Sequence, residues 1–359
     1  MKYILATDSF KGSLSSMEVE AEIAEVLTEK GADVVSLPMS DGGDGMLEAF
    51  TKALGGTIEP VYVHNQMMRR VDAAFGMTAD GTAIVEVAQA CGLELVKEDE
   101  RNPMRATTYG VGELLSRAIK RGCRNFIIGL GGSGTSDAGI GMLKALVDIF
   151  AKGKTFDDAM KTELGECRFT LACDVDNPLC SENGAAYVYA PQKGATPQMV
   201  EQLDRRAKLF AEKSALHYGY DRSCCPGAGA AGGLGYAFMQ YLGAEMRSGA
   251  DMLLSLCRFD DVAKDADMII TGEGHADRQT LMGKLPQKVL QRGQQMDVPV
   301  GLVAGRVDSK EQLLEAGFRF AESVTPDGMS TAEAMKKEVA QANLRRWADF
   351  HHHHELFND

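Results

Sequence analysis

Several features that define common protein classes are missing from this chain of 359 residues. None of its eight cysteines forms a C-x-x-C pair, which argues against zinc and disulfide frameworks and favours reduced thiols in the cytoplasm. No apolar run approaches the roughly 20 residues of a membrane helix. Asp8 interrupts the first apolar stretch before a signal-peptide core could form. We therefore expect a cytoplasmic protein with no membrane partner.

Positive charge is also scarce. Lys and Arg number 38 against 51 Asp and Glu, so the net charge is −13, and no basic run breaks the pattern. A polyanion would be repelled by this field, so we expect no nucleic-acid partner. ATP remains compatible with an acidic protein because Mg²⁺ and a few local donors neutralise its phosphates. The length suits two domains of about 100–200 residues each.

Strands, loops and helices alternate at both ends of the chain. Lys2–Thr7 and Asp33–Pro38 are apolar strands, and the helix between them begins at the capping box Ser15-Ser16-Met17-Glu18. Met268–Thr271 and Val298–Ala304 repeat the pattern near the C-terminus, each followed by a glycine loop. This order predicts a doubly wound α/β domain.

The middle of the chain has a different pattern. Thr57–His64 and Arg70–Val87 are extended, and the turn at 79–82 pairs the second segment as a hairpin. A strand at Asn125–Leu130 and a long helix at Pro197–Tyr218 follow. We predict one α/β domain, residues 1–56 plus 258–359, interrupted by a second with an antiparallel part, residues 57–257.

Five loops combine glycine with Asp, Ser, Lys or Glu. Ligands of open α/β sheets lie at the carboxyl ends of strands, and phosphates bind where backbone N–H groups converge at helix N-termini. The loops are Thr7–Ser13, Ser40–Gly45, Gly129–Asp137, Ala172–Pro178 followed by Gln192-Lys193-Gly194, and Thr271–Asp277 followed by Gly283-Lys284.

The first loop offers a carboxylate and an ammonium directly after a strand. Asp8 suits a metal or a hydroxyl proton, and Lys11 suits a phosphate. The alternative is that Asp8 and Ser9 only cap a turn. The second loop, with Asp41 and Asp44, is equally compatible with a metal site and with plain turn chemistry.

The third loop contains a literal G-x-G-x-x-G at Gly129, Gly131 and Gly134. Taken alone, it favours an NAD(P)-dependent oxidoreductase acting on a small hydroxy acid. Its position in mid-chain and the lack of an acid about 20 residues later weaken that hypothesis. A phosphate- or carboxylate-binding loop is the preferred interpretation. A second G-x-G-x-x-G, at 227–232, follows no predicted strand and is interpreted as a coincidence.

Acids also stand in the last two loops. Asp174 and Asp176 have the composition of a Mg²⁺ or general-base site, although Pro178 is equally compatible with an Asx turn. Glu273 suits nucleotide or Mg²⁺ contacts, whereas a lone histidine such as His275 is more often structural.

Taken in order, these strings resemble the bacterial type-1 glycerate kinases over residues 1–345. The strings are Asp8-Ser9-Phe10-Lys11-Gly12-Ser13, Asp41-Gly42-Gly43-Asp44-Gly45, Asn102-Pro103, Thr107-Thr108-Tyr109-Gly110, Gly131-Gly132-Ser133, Cys173-Asp174-Val175-Asp176-Asn177-Pro178, Pro191-Gln192-Lys193-Gly194-Ala195-Thr196 and Gly272-Glu273-Gly274. Thr7, Asp44 and His275 depart from residues common in that family.

The resemblance implies ATP-dependent phosphorylation of D-glycerate to phosphoglycerate, usually the 2-phospho product, with ATP and Mg²⁺ as cofactors. It also implies a Rossmann-like domain interrupted by a mixed α/β domain, with the active site in the cleft between them. The roles assigned on this basis are catalysis for Asp8, Lys11, Asp176 and Lys193; substrate binding for Ser9, Arg105 (a carboxylate clamp) and Ser133; nucleotide or phosphate binding for Gly131, Gly132, Gly134, Gly272, Glu273, Gly274 and Lys284; and Mg²⁺ binding for Asp41, Asp44 and Asp174.

Overall fold

The computed structural model describes residues 1–40, 42–43 and 45–353. The strands are β1 Lys2–Thr7, β2 Asp33–Ser36, β3 Thr57–His64, β4 Arg70–Met77, β5 Thr82–Glu86, β6 Asn125–Gly129, β7 Arg168–Ala172, β8 Glu245–Arg247, β9 Met268–Ala276, β10 Val300–Val307 and β11 Phe320–Ser323. The helices are α1 Ser16–Glu29, α2 Met46–Ala53, α3 Ala88–Cys91, α4 Tyr109–Lys120, α5 Ile140–Phe150, α6 Phe156–Ala159, α7 Ala185–Tyr189, α8 Pro197–Tyr218, α9 Ala230–Tyr241, α10 Gly249–Leu256, α11 Phe259–Ala263, α12 Leu285–Met296, α13 Lys310–Glu315, α14 Thr331–Ala334 and α15 Lys337–His353.

The chain divides into two compact units. Unit 1 comprises Met1–Gly45 with Ala250–Asp359, and unit 2 comprises Met46–Gly249. The domain limits inferred from sequence differ from this division at residues 46–56 and 250–257, and as functional domains they stay a prediction. In the described part of the chain, no helix has the length and apolar character needed to cross a membrane.

Unit 1 is built on a parallel sheet in the order β11-β10-β9-β1-β2. From β1 the chain moves outward to β2, and β9, β10 and β11 then extend from the opposite side of β1. The direction of winding therefore reverses between β1 and β9. In open α/β sheets, such a reversal leaves a crevice at the carboxyl ends of the two strands.

Helix α1 shows how local sequence and packing agree in unit 1. The Ser15 side chain accepts the Glu18 N–H, and the Glu18 carboxylate accepts the Ser15 N–H, so the predicted capping box is confirmed. Val19 and Ile23 on this helix are fully buried against the core that contains Leu5 of β1. Burial of each such side chain contributes about 1.5–3 kcal/mol to stability.

The C-terminal helix α15 is fastened to the edge strand β11. Trp347 Nε1 donates to a Glu322 carboxylate oxygen at 2.8 Å, and His351 Nε2 lies 2.6 Å from the same oxygen. These contacts lower the pKa of the Glu322 carboxyl although burial raises it. The first residue of the histidine run at 351–354 therefore has a structural contact, while His354 lies outside the described residues.

Unit 2 is built on a sheet in the order β3-β4-β5-β6-β7-β8. Only β3, β4 and β5 pair antiparallel, and β5 to β8 are parallel, so the antiparallel character expected of the middle region holds for its first three strands only. Glu86, Gly129 and Ala172 are register neighbours at the carboxyl ends of β5, β6 and β7. The loops that follow these strands therefore begin at one sheet edge.

The prediction of a loop at Thr271–Asp277 is wrong, because most of this segment belongs to strand β9. Strand β9 continues to Ala276, so Gly272-Glu273-Gly274 is extended backbone within the sheet. A Cβ on Gly272 would lie 2.3 Å from the Val303 carbonyl oxygen on β10. Glycine is required here because two strands approach closely, not because the backbone turns. The predicted helix Pro197–Tyr218 is confirmed, and so is the predicted hairpin within Arg70–Val87, in which β4 and β5 pair antiparallel.

Candidate functional site

In unit 1, the candidate residues lie at the point where the winding of the sheet reverses. The Asp8 N–H donates to the Gly272 carbonyl at 2.8 Å, and Asp8 Oδ1 accepts the Ser9 N–H at 2.7 Å. A Cβ on Gly274 would lie 3.2 Å from the Lys11 backbone nitrogen, so β9 and the first loop are in contact. The first and fifth predicted loops therefore come together within unit 1.

A buried carboxylate that the sequence analysis missed supports this loop. Glu20 of α1 is fully buried, and its Oε1 accepts the Thr7 N–H at 2.9 Å. The Thr7 hydroxyl lies 3.4 Å from the same oxygen. Glu20 thus holds the backbone immediately before Asp8. An acid between the buried positions Val19 and Ile23 of an amphipathic helix was the available signal.

Glu273 is the buried acid of β9, with 8% of its surface exposed. Its carboxylate accepts from the Thr280 hydroxyl at 2.6 Å and lies 3.4 Å from Lys284 Nζ. Burial raises the pKa of the Glu273 carboxyl, and the contacts with Thr280 and Lys284 oppose that rise. Two residues predicted to bind nucleotide therefore form a pair within unit 1.

His275 is exposed and is part of a charged surface group. Its Nε2 lies 2.9 Å from Asp308 Oδ2, and Arg306 Nε donates to Asp308 Oδ1 at 3.1 Å. Hydrogen bonds from His275 and Arg306 lower the pKa of the Asp308 carboxyl. A cationic guanidinium therefore lies beside His275 in this group.

In unit 2, Lys193 is the central candidate. It has 3% of its surface exposed, and its Nζ donates to Ser133 Oγ at 3.1 Å and to the Thr135 carbonyl at 2.6 Å. Burial lowers the pKa of Lys193 to about 8, while the nearby Cys91 and Asp137 act to raise it. The third predicted loop and the segment at 191–194 therefore meet around this ammonium group.

Asp137 joins the N-termini of two helices, a role that no local sequence motif indicates. Its Oδ2 accepts from Thr108 N, Thr108 Oγ1 and Gly141 N at 2.9, 3.0 and 3.0 Å, and its Oδ1 accepts the Gly139 N–H at 3.1 Å. The Thr108 hydroxyl in turn accepts the Met142 N–H at 2.9 Å. Burial raises the pKa of the Asp137 carboxyl, and these hydrogen bonds oppose the rise.

The position of Asp137 limits what the glycine loop can bind. In dinucleotide-binding folds, the helix after the G-x-G-x-x-G segment presents its N-terminus to the pyrophosphate. Here the N-terminus of α5 already faces the Asp137 carboxylate. The Gly134 N–H is also committed, because it donates to the Cys91 carbonyl at 2.7 Å. This geometry does not support the oxidoreductase alternative.

Replacement of Asp137 by asparagine is expected to lower the free energy of unfolding by about 2–3 kcal/mol, because a charged acceptor is lost at two helix N-termini. The asparagine amide would also direct an N–H group toward one of the donors. The control is Asp148→Asn on α5, where the half-buried Asp148 pairs with Lys144 and accepts from the Tyr109 hydroxyl; this change should lower the free energy of unfolding by less than about 1 kcal/mol. Urea unfolding of both variants measures the difference, and equal losses would contradict the helix-capping role.

The remaining predicted residues occupy varied environments. Gly131 and Gly132 are half-buried, Asp174 is half-buried, and Asp176, Arg105 and Lys11 are exposed. Two predicted metal ligands, Asp41 and Asp44, lie outside the described residues. Across residues 1–40, 42–43 and 45–353, no group of three or more His, Cys, Asp or Glu side chains is arranged to hold a metal ion.

A parallel α/β unit with an acid, a lysine and close-packed glycines where its winding reverses is typical of enzymes that bind small anionic substrates at the carboxyl ends of strands. Unit 2 adds a buried lysine beside a glycine loop. Together these features define an α/β enzyme class without yet defining the reaction.

The chain belongs to the glycerate kinase family, whose model matches residues 3–350. It is 37% identical to a glycerate kinase of Bacillus subtilis (strain 168), covering 94% of this chain and 93% of the relative. It is 39% identical to the glycerate 2-kinase of Escherichia coli (strain K12), with 85% of each chain covered. A crystal structure assigned as glycerate kinase 2 from Salmonella typhimurium LT2 has a TM-score of 0.78 at 35% identity, covering 98% of this chain and 96% of that one.

Proposed function

We propose that this chain transfers the terminal phosphoryl group of ATP to a hydroxyl group of D-glycerate, with the 2-hydroxyl as the acceptor. The observation that carries the proposal is family membership over residues 3–350 together with Asp8 and Lys11 at the reversal point of the unit 1 sheet. The 2-hydroxyl is preferred because a relative 39% identical to this chain is a glycerate 2-kinase. The absence of disulfides among the described cysteines supports a cytoplasmic enzyme.

Phosphoryl transfer depends on positioning and charge neutralisation more than on covalent chemistry. The bond between the terminal phosphorus and its bridging oxygen breaks, a bond from the glycerate oxygen to that phosphorus forms, and the hydroxyl proton passes to a carboxylate. Asp8 is the preferred proton acceptor, with Asp176 as the alternative. Lys11 and Lys284 are the lysines of unit 1 that would neutralise phosphate charge.

We include Mg²⁺ in the proposal because this ion usually accompanies ATP in phosphoryl transfer. It is commonly held by one or two carboxylates together with substrate phosphates and water, so a cage of three protein ligands is not required. Asp174, half-buried directly after β7, is the described carboxylate that fits this role. When bound, the ion would neutralise charge that develops on the transferred phosphoryl group.

The test is to incubate the purified protein with Mg-ATP and D-glycerate and to measure ADP release. Phosphorus NMR of the product separates 2-phosphoglycerate from 3-phosphoglycerate. We expect stoichiometric ADP and the 2-phospho product. ADP release that does not depend on glycerate would refute the proposal, and a 3-phospho product would refute the preferred acceptor position only.

A further inference from the structure

Two buried side chains of unit 2 end at the same short segment, Ser133-Gly134-Thr135. Lys193 Nζ bonds to Ser133 Oγ and to the Thr135 carbonyl. Gln66 Nε2 donates to the Gly92 carbonyl at 2.7 Å, and a Cβ on Gly134 would lie 3.1 Å from that same nitrogen. The segment 133–135 therefore contacts both an ammonium group and a carboxamide, and neither Gln66 nor Lys193 exposes more than 3% of its surface.

Both side chains retain hydrogen-bonding capacity. An ammonium group has three N–H donors, and two of those on Lys193 are bonded. No carboxylate lies within ion-pair distance of Lys193 in the described residues. The Gly92 carbonyl is an acceptor, which places the amide nitrogen of Gln66 toward it and leaves Oε1 as an acceptor. Oε1 of Gln66 is buried and has no hydrogen-bond partner in the same described ranges.

A buried donor or acceptor without a partner lowers the stability of the fold unless a ligand supplies the missing hydrogen bond. A buried cation without a counter-ion and a buried acceptor without a donor each lower stability. Buried polar groups without partners are rare, and they mark places where function requires them. Gly131 and Gly132, half-buried and directly preceding Ser133, leave the backbone next to these groups partly accessible.

The single positive charge of Lys193 suits a ligand group that carries one negative charge. Lys193 contributes one positive charge, and Asp137 already occupies the N-termini of α4 and α5. A triphosphate would find one ammonium and a nearby carboxylate, whereas a carboxylate ligand would balance the ammonium. Arg105, the predicted carboxylate clamp, is exposed and stays a prediction.

We propose that Lys193, Ser133 and Gln66 form the hydroxy-acid subsite, in which the glycerate carboxylate accepts from Lys193 Nζ and a glycerate hydroxyl donates to Gln66 Oε1. The inference rests on the proposed function and adds to it a binding place within unit 2 and a specificity residue, Gln66. A site that hydrogen-bonds a substrate hydroxyl discriminates strongly against analogues that lack it, because its buried acceptor is then left without a donor.

The subsite is tested by calorimetric titration of the full-length protein with D-glycerate, D-lactate and 3-hydroxypropionate in the absence of nucleotide. Lys193→Met should weaken the binding of all three acids, by roughly 100-fold for D-glycerate. Gln66→Met should weaken the binding of D-glycerate by about 10-fold or more. The ratio between the affinities for D-glycerate and for the analogue that lacks the recognised hydroxyl should therefore become smaller. The affinity for the analogue that keeps this hydroxyl should fall by the same factor as the affinity for D-glycerate.

Matched controls in unit 2 separate recognition from general damage. Gln240→Met removes another buried glutamine, which bonds to Tyr220 and Arg222, and Lys144→Met removes a surface lysine of α5. Both controls should keep the wild-type dissociation constant for D-glycerate. An unchanged D-glycerate affinity in a folded Lys193→Met protein would overturn the subsite, as would an unchanged preference among the acids in Gln66→Met.

A measurement on the wild-type protein covers the case in which Lys193→Met does not fold. Since burial lowers the pKa of Lys193 to about 8, a bound carboxylate should raise that pKa again. Binding at about pH 8.5 should then take up a fraction of a proton, and the dissociation constant should rise about tenfold per pH unit above that value. The other titratable groups near the ammonium are Cys91, whose thiol stays protonated because burial raises its pKa to about 12, and Asp137. Proton uptake that stays at zero at every pH up to about 10.5, near the ordinary pKa of lysine, would contradict the assignment.

The outcomes also distinguish this inference from the proposed function. If the wild-type enzyme phosphorylates D-glycerate but Lys193→Met binds it normally, the subsite is wrong and the function stands. If Lys193-dependent glycerate binding is found without ADP release, the subsite stands and the phosphoryl transfer is wrong.

Discussion

Asp8→Asn is expected to lower kcat/KM for D-glycerate about 10³-fold, because asparagine cannot accept the hydroxyl proton. The fold should persist, since the asparagine carbonyl can still accept the Ser9 N–H that Asp8 Oδ1 accepts at 2.7 Å. The measurement is steady-state release of ADP at saturating Mg-ATP. The unfolding midpoint in urea, measured alongside, should change little.

Two comparisons accompany this prediction. Asp33→Asn, on the exposed end of β2, should keep wild-type turnover. Lys11→Ala removes the charge that we propose for phosphate binding. It should also reduce kcat/KM by orders of magnitude, with the larger part of the effect in KM for ATP. Near-normal turnover in both Asp8→Asn and Lys11→Ala would remove the first loop from the active site.

Gly232→Ala is expected to lower the free energy of unfolding by about 3 kcal/mol or more. Gly232 has a φ of +66°, and a Cβ there would lie 2.0 Å from the Thr135 carbonyl oxygen. That oxygen accepts from Lys193 Nζ, so the displacement should also raise KM for D-glycerate. Urea unfolding and steady-state kinetics measure the two effects.

Gly219→Ala is the matched control because Gly219 has a φ of +76° and no atom within 4 Å of the added Cβ. In Gly219→Ala, the alanine must adopt a positive φ, but its Cβ meets no neighbouring atom. The free energy of unfolding should therefore fall by only about 1 kcal/mol, and KM for D-glycerate should not change. Equal losses of stability in the two variants would show that the contact with Thr135 is not what requires glycine.

Local signals in the sequence were reliable where neighbouring residues determine the structure. The capping box at Ser15 and Glu18 predicts the start of α1. Thr196 is the N-cap of α8, and Pro197 is its first residue, which is a favoured position for proline. The apolar strands Lys2–Thr7 and Met268–Thr271 were also predictable, because short buried strands appear as continuous apolar runs.

Structural requirements that come from distant partners leave no local signal in the sequence. Gly272–Gly274 was predicted as a loop because glycine is common in turns, yet its requirement comes from β10, a strand later in the chain. The second G-x-G-x-x-G at 227–232 was interpreted as a coincidence. In the structure, Ala231, Gly232 and Gly233 all have positive φ, and Gly232 and Gly233 lie against the backbone of residues 135–138. No pattern local to either segment carries that information.

The residues of the candidate site also fall into those that local sequence predicts and those that it does not. Asp8, Lys11, Ser133 and Lys193 could be named because they stand in distinctive strings. Glu20, Gln66 and Asp137 act through contacts with residues 13 to 29 positions away, so no short motif contains both partners. For Glu20 the available signal is an acid between Val19 and Ile23, which the helical pattern predicts to be buried.

The central strand of unit 1 has a consequence for the order of events during synthesis. Strand β1 lies between β2 and β9, and about 260 residues separate it from β9 along the chain. At a translation rate of about 5–20 residues per second, β1 waits roughly 10–50 s for its second neighbour. Unit 2 is continuous and is fully synthesised before β9 emerges. The nascent chain should therefore complete its second unit first, with the exposed side of β1 as the segment that depends most on chaperones.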